Sequence, residues 1–296
     1  MTGETVAASS AQPFHFGLDY IRVHFGNNTA LATQQMTHNL YRQNRETLVD
    51  HMLRCLDLTG RETVLDLGCG NGFILRDVVS RLRHGGRTVA MDISPAMLEL
   101  AKRNVTVSWA PLEFVEGRAE DLSRFPDGTF DRVMANFIFH YIEDPDLVCG
   151  EIARVTSDDG FAIVTIEARH SMPEMYEMHF EAMEKVGFAP DFIARLPRTR
   201  RGKMVLDNSA EILSRHFGSV TENPYPDALR FETPEPYMFF YATGHKFCGA
   251  RAMAGDEYPE SMFDQLYAEV EAKVKARIAE VGYFELSKRN SVFVCR

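Results

Sequence analysis

The sequence predicts an α/β protein built on a doubly wound, mostly parallel sheet, and three observations carry that prediction. The first is the run Val64-Leu-Asp-Leu-Gly-Cys-Gly-Asn-Gly-Phe73, in which an apolar β-type segment ends in an acid and then places glycine at every second position. Gly68, Gly70 and Gly72 permit a sharp turn and close approach of the backbone to a ligand, since no Cβ stands in the way. Ile74 to Leu82 then spaces its apolar residues helically, so the turn opens a helix whose N-terminal amides face the crevice. The second observation is Thr88-Val-Ala-Met-Asp92, a buried-type strand ending in an acid, with Ser94 and Pro95 suited to be the N-cap and first residue of a helix. The third is that the alternation continues. Strands are expected at Leu112–Val115, Phe130–Asn136 and Phe161–Ile166, with a helix near Asp146–Val155 and a turn at Ser157-Asp-Asp-Gly160.

The spacing of the glycines narrows the ligand. A dinucleotide-binding turn reads G-x-G-x-x-G, whereas this chain reads G-x-G-x-G behind Asp66, and no Gly-Lys-Ser/Thr follows to hold phosphates. Asp92, at a strand's C-terminal end, can accept hydrogen bonds from both vicinal hydroxyls of a ribose and would repel a phosphate. An adenosyl ligand without phosphates fits best. Residues 64–73 resemble motif I of the class I S-adenosylmethionine-dependent methyltransferases, and further motifs follow in family order over roughly residues 60–168. The resemblance implies a Rossmann-like sheet of seven strands with the last one antiparallel, and S-adenosyl-L-methionine as cofactor. It implies that Asp66, Gly68, Cys69 and Gly70 surround the cofactor and that Asp92 and Ile93 meet its ribose. Ala119, Glu120 and Asp121, in the loop Gly117–Leu122, would flank the adenine, with Asp121 accepting from the amino group. Asn136 closes the fourth strand beside the same site.

Length and composition agree with a soluble enzyme, since 296 residues can bury a sizeable core. A net charge of −10 argues against sequence-independent nucleic-acid binding, which draws on clustered Lys and Arg. No run of about 18 apolar residues is present, so no transmembrane helix is expected. Met1–Gln12 lacks an apolar h-region and reads as a disordered lead. The five cysteines, at positions 55, 69, 149, 248 and 295, have neither disulfide-framework density nor C-x-x-C spacing, which places the chain in a reducing cytoplasm. Cys69 reads as packing beside the cofactor rather than as a catalytic thiol.

The chain divides into a lead (1–12), an N-terminal helical cap (13–58), a cofactor-binding core (59–168), a substrate-cover insert (169–217) and a C-terminal return to the sheet (218–296). The cap contains an aromatic- and histidine-rich stretch, Phe14–Phe25, and a long helical pattern, Thr29–Leu56, with a turn at Gly26-Asn-Asn between them. Tyr20, His24 or Tyr41 could close over the cofactor, although helices that merely cover a sheet face would look the same. The sixth strand is expected at Val220–Tyr225, extended by Asp227–Thr233. Met262–Val281 reads as an amphipathic helix and Phe284–Val294 as the seventh strand. The oligomeric state is not legible.

A sulfonium-bound methyl is already activated, so the protein has mainly to position a nucleophile opposite the leaving sulfur. His140, just past the fourth strand, is the first candidate for a general base, and Tyr141 the second; each could equally shape the pocket. Glu167, His170, Glu174 and His179 crowd together like a metal site. The two histidines lie nine residues apart, half a turn out of phase on a helix, and Met172, Met175 and Met178 between them form an apolar stripe, so no metal is expected. Arg195, Arg198, Arg200, Arg201 and Lys203 form a cationic run without an acid. Arg200 and Arg201 are the substrate-binding candidates, on a loop that would favour an anionic acceptor, against the plainer reading of a solvated surface. The expected function is methyl transfer to oxygen or nitrogen, less readily carbon, of a small molecule in a biosynthetic pathway. The alternatives are a methyltransferase for a macromolecule such as tRNA or protein, and an adenosyl-binding protein without transfer.

Overall fold

A computed structural model of the chain describes residues 29–83, 85–198 and 202–296. The lead and the Phe14–Phe25 stretch, with Tyr20 and His24, lie outside the described residues, as do Arg200 and Arg201.

Two helices, α1 (Thr29–Tyr41) and α2 (Leu48–Leu56), precede β1 (Thr63–Leu67), α3 (Leu75–Val79), β2 (Arg87–Asp92), α4 (Pro95–Asn104), β3 (Leu112–Glu116) and β4 (Phe130–Asn136). After a 3-10 turn at Phe139–Tyr141 come α5 (Pro145–Val155), β5 (Thr156–Glu167), α6 (Pro173–Val186), α7 (Pro190–Arg195), α8 (Leu206–Leu213) and β6 (Val220–Phe231). The chain closes with α9 (Pro234–Thr243), α10 (His245–Ala254), α11 (Glu260–Val281) and β7 (Phe284–Cys295). The seven strands form one sheet in the order β3-β2-β1-β4-β5-β7-β6. The first five run parallel; β7 is antiparallel to both β5 and β6. The expected Rossmann-like sheet with its reversed last strand is present. Strand order reverses between β1 and β4, which opens a crevice at the C-terminal strand ends, where open α/β sheets bind ligands.

Two local readings change in the folded chain. The helical pattern Thr29–Leu56 is broken between Tyr41 and Leu48, because the linker is tied to β6. The backbone N–H groups of Gln43 and Asn44 donate to Asp227 Oδ1 at 3.0 and 2.9 Å, and the Tyr225 hydroxyl donates to the Glu46 carbonyl at 2.6 Å. Thr47 then caps α2, its hydroxyl accepting from the Asp50 N–H. The turn at Ser157–Gly160 is a bulge within β5: pairing jumps from Phe130↔Thr156 to Arg132↔Phe161, so β5 carries three extra residues there. The expected extension of the sixth strand is present, with β6 continuing to Phe231 through Pro224 and Pro226. It can do so because it is the edge strand, where a missing N–H costs no ladder bond.

β6 and β7 pair over twelve residues, while β5 reaches only as far as the row Glu167↔Asn290. The outer half of the β6–β7 ribbon therefore projects past the sheet. A separate apolar core forms on it, joining Met172, Met175, Phe180, Met183 and Phe192 of the insert to Leu229, Phe231, Tyr237, Tyr241, Phe263, Leu266 and Leu286. The span from Phe231 to Phe284 thus packs with the insert, a contribution that the sequence pattern did not signal. The methionine stripe is core here, with Met172 and Met175 buried and Met178 packed against them.

Candidate functional site

At the end of β1 the chain turns at once. Gly68 and Cys69 donate to the Met91 carbonyl at 2.8 and 3.0 Å, and the Gly70 N–H donates to Asp92 Oδ2 at 2.8 Å. Gly68 has φ +74°, and a Cβ there would come within 2.3 Å of Ile138 Cγ2. Gly70 has φ +54°, but among the described residues the nearest atom to its Cβ position would be Leu31 Cδ2, 3.9 Å away. One glycine is required by the protein and the other faces open space. The second Asp92 oxygen accepts from the Ser94 N–H at 2.8 Å, and Ser94 itself caps α4. Two backbone donors thus aim a carboxylate that still has acceptor sites for two hydroxyls.

Asp66 is buried on the central strand, flanked in register by Ala90 and Met134. Burial, and then the neighbouring Asp92, push its carboxyl up to about 7. Burial also raises Asp92, against the lowering effect of its backbone hydrogen bonds. The Cys69 thiol is driven far up by burial and then by these two acids, so it stays protonated and is no nucleophile. Such an end of a cavity favours a ligand that brings positive charge.

The cavity, about 390 Å³, runs from this turn to the projecting ribbon. Asp66, Gly68, Cys69, Gly70, Asp92, Ile93, Ala119, Glu120 and Asn136 all line it, as do His140 and Tyr141. Asp121 does not. It is exposed, and its carboxylate turns back to accept from the Ser123 N–H and hydroxyl at 3.1 and 2.6 Å. Glu120, paired with Arg118 at 3.1 Å, is the acid of this loop that faces the cavity. At the end of β4, Asn136 accepts from the Thr165 hydroxyl through Oδ1, while its buried Nδ2 has no partner. The next residue, Phe137, has φ +58°, a strained conformation for a side-chain-bearing residue at the mouth of a site. The His140 ring leans on Tyr141 with centroids 3.8 Å apart, and Gly202 packs against its backbone: a Cβ on Gly202 would lie 3.1 Å from His140 Cα.

A methyltransferase domain family matches residues 65–164. The magnesium-protoporphyrin O-methyltransferase of Rhodobacter capsulatus is 31% identical over 185 residues, which cover 60% of this chain and 71% of that protein. The chain belongs to the class I S-adenosylmethionine-dependent methyltransferases. The demethylmenaquinone methyltransferase of Lactococcus lactis is 34% identical over 131 residues, 44% of this chain and 51% of that protein. The chain spans about half the length of most of the curated relatives it matches. In fold it is similar to Haemonchus contortus phosphoethanolamine N-methyltransferase 2 in complex with phosphomonomethylethanolamine and S-adenosylhomocysteine, with a TM-score of 0.55 at 15% identity over 94% of this chain and 59% of that one.

The site fits the family's cofactor on its own geometry: an open glycine turn at Gly70, a carboxylate aimed by two amides, and an orphaned buried donor on Asn136. Sequence reasoning expected a helical cap here but missed the residues of it that face the cavity. Leu31, Gln34, Gln35 and His38 of α1 line the cavity, and Gln35 exchanges two hydrogen bonds with Asn71 in the glycine turn, at 3.2 and 3.0 Å. Their helical spacing was a usable signal. Tyr41 instead packs on Phe231, with centroids 4.9 Å apart. Glu167, Lys288 and Asn290 were also missed as cavity residues. Lys288 and Asn290 stand in phase with buried Phe284, Leu286 and Val292 along β7, so polar residues interrupt an apolar face. Such an interruption is legible once noticed.

The suspected metal residues are dispersed. Glu174 accepts from the Ser287 N–H at 3.0 Å, and buried His179 contacts the Tyr241 hydroxyl at 2.6 Å, held neutral with its pKa lowered to about 3 by burial and then by Lys246. Among the described residues no cluster of three metal-type ligands occurs. Of the cationic run, Arg195 pairs with Glu257 at 2.7 Å, Arg198 lies over the Phe180 ring at 4.6 Å, and Lys203 approaches Glu143 at 3.6 Å. These are surface pairings of modest strength. Among the described residues no helix is long and apolar enough to cross a membrane.

Proposed function

We propose that this chain transfers a methyl group from S-adenosylmethionine to oxygen or nitrogen, and less readily to carbon, of a small molecule held between the sheet and its helical roof. The carrying observation is the single cavity that joins the Asp92 end to His140 and onward to α1 and β7; its size suits small-molecule sites, which are roughly 300–1,000 Å³. The segments 13–58 and 169–217 would act as cap and cover around the 59–168 core, joined by α9 to α11 from within 218–296. A cytoplasmic setting fits the free cysteines, four of them buried. Cofactor carrying a labelled methyl, offered with small-molecule, RNA and protein fractions, decides the acceptor class. Label confined to RNA or protein would replace this reading, and none anywhere would point to a binding protein.

When bound, the cofactor supplies the activated methyl. The chain's part is to hold the ribose through Asp92, to face the adenine with Ala119 and Glu120, and to meet the amino-acid end near Asp66. Because Asp66 titrates at about 7 in the free protein, it must ionise to receive the ligand's ammonium. Affinity for S-adenosylhomocysteine is therefore expected to rise with pH between 6 and 8, with proton release on binding near pH 7. In the free protein the folded-state pKa lies above the ordinary 3.8, so stability from this group is full below about pH 4 and falls as pH rises to about 7. Calorimetry in two buffers of different ionisation enthalpy reads the proton count; pH-independent binding without proton release would take Asp66 away from the ligand's charge.

His140, on the 3-10 turn against Tyr141, is the proposed base that takes the acceptor's proton. With that role His140→Gln should lower kcat by about 10²–10⁴-fold and flatten its pH profile, while Tyr141→Phe has a smaller effect. An unchanged turnover from pH 6 to 9 in His140→Gln would leave both residues as pocket walls.

A further inference from the structure

We propose that Lys288, with His38 and Asn290, forms a subsite that binds a carboxylate of the methyl acceptor. The inference rests on the small-molecule reading above and names the acceptor's chemical class. Lys288 is 6% exposed, yet it lines the cavity from the projecting half of the ribbon, and its Nζ donates to His38 Nδ1 at 2.9 Å. The imidazole that accepts this bond is itself braced edge-on against Phe240, with centroids 5.7 Å apart. The ammonium is thus held at the wall in one position, which costs a binding anion little reorganisation. Asn290, two residues along and on the same face of β7, is 3% exposed, and its Oδ1 is buried without a partner. A side-chain amide can turn to present either its oxygen or its NH₂. Ammonium and amide thus offer two donors to an anion from one face of β7, two residues apart.

The surrounding charges orient the acceptor. Glu167 sits opposite Asn290 in the sheet, on the side of the cofactor, and repels an anion from that end. Asp227 sits opposite Lys288, but its Oδ1 already accepts from three backbone N–H groups, those of Gln43, Asn44 and Ala228, and so is committed to holding the α1–α2 linker. Apolar Leu48, Val49 and Met52 line the same cavity and limit competing water, which strengthens the attraction between buried ammonium and anion. The carboxylate then lies at the ribbon end, and the reacting atom lies toward Asn136 and His140. The Lys288 and Thr165–Asn136 rows are four residues apart along the strands, roughly 13 Å. A phosphate dianion would be repelled more strongly than a monoanion by Glu167 and Asp227, which face Asn290 and Lys288 across the sheet, so a monoanionic carboxylate is the better match.

The test uses benzoate and its neutral counterpart benzamide as probes, titrated at constant ionic strength into full-length protein saturated with S-adenosylhomocysteine. Benzoate is expected to bind at least tenfold more tightly than benzamide. Lys288→Met should remove that preference while leaving affinity for benzamide and S-adenosylhomocysteine unchanged, and Lys288→Arg should restore part of it. Equal binding of the two probes to the unaltered protein, absence of benzoate binding, or full benzoate affinity in Lys288→Met would each overturn the subsite. Should Lys288→Met fail to fold, the comparison of the two probes on the unaltered protein still decides. Failure to bind S-adenosylhomocysteine would overturn the methyl-transfer reading itself, whereas normal binding of it with no preference for benzoate removes the carboxylate subsite alone.

Discussion

Gly68→Ala is expected to lower the stability of the fold by about 2–5 kcal/mol, whether or not cofactor is present. Two costs add. The residue sits at φ +74°, a left-handed conformation worth about 1–2 kcal/mol against a side chain, and the new methyl would fall 2.3 Å from Ile138 Cγ2. Ile138 is β-branched and stiff at χ1, so it can yield only by moving the turn that carries His140. Gly70→Ala gives the contrast, because among the described residues its Cβ would meet no atom closer than 3.9 Å. It should cost about 1–2 kcal/mol of stability from the backbone angle alone and weaken cofactor binding at least tenfold, since the methyl occupies ligand space. Urea unfolding of both variants, with calorimetry against S-adenosylmethionine, separates the two. If Gly70→Ala binds normally, the open side of the turn is not where the cofactor lies.

Asp92→Ala is expected to weaken S-adenosylmethionine binding by about 1–3 kcal/mol, roughly 5- to 150-fold, with the sheet intact. Loss of the ribose acceptor is one part. The other is that the N–H groups of Gly70 and Ser94, which now donate to this carboxylate at 2.8 Å each, lose the partner that fixes the turn beside the ligand. Asp92→Asn keeps an acceptor oxygen and should recover part of the loss. Both variants remove the charge that helps push Asp66 up, so the Asp66 titration should move down in each. Unchanged affinity in folded Asp92→Ala would withdraw the ribose role and, with it, the correspondence of Asp66 and Glu120 to the cofactor's two ends.

The cofactor end of this protein was legible because it is local. Asp66, the glycines and Asp92 lie within 27 residues, and each follows a strand whose apolar run and terminal turn are written in consecutive positions. A parallel strand buried on both faces, followed by a glycine turn, leaves little conformational choice, so backbone sterics alone placed these groups in the crevice. Within the same region Asp121 and Glu120 are adjacent acids, and the choice between them fell to a side-chain hydrogen bond to Ser123 that the pattern does not encode.

The acceptor end was decided by tertiary structure. The break between α1 and α2 exists because Asp227 and Tyr225, some 180 residues away, bind the linker's backbone groups in place of a continued helix. Lys288 and His38 are 250 residues apart and meet because β7 adds antiparallel to β5 and pairs with a proline-containing edge strand long enough to project beyond it. The sequence by itself determined the sheet, its strand-end turns and the cofactor class, since each depends on short-range sterics and alternation. Which helices roof the cavity, and which polar residues of the ribbon look into it, depended on pairings between distant segments, whose energy comes from burying one apolar face against another and is not recorded at either segment alone.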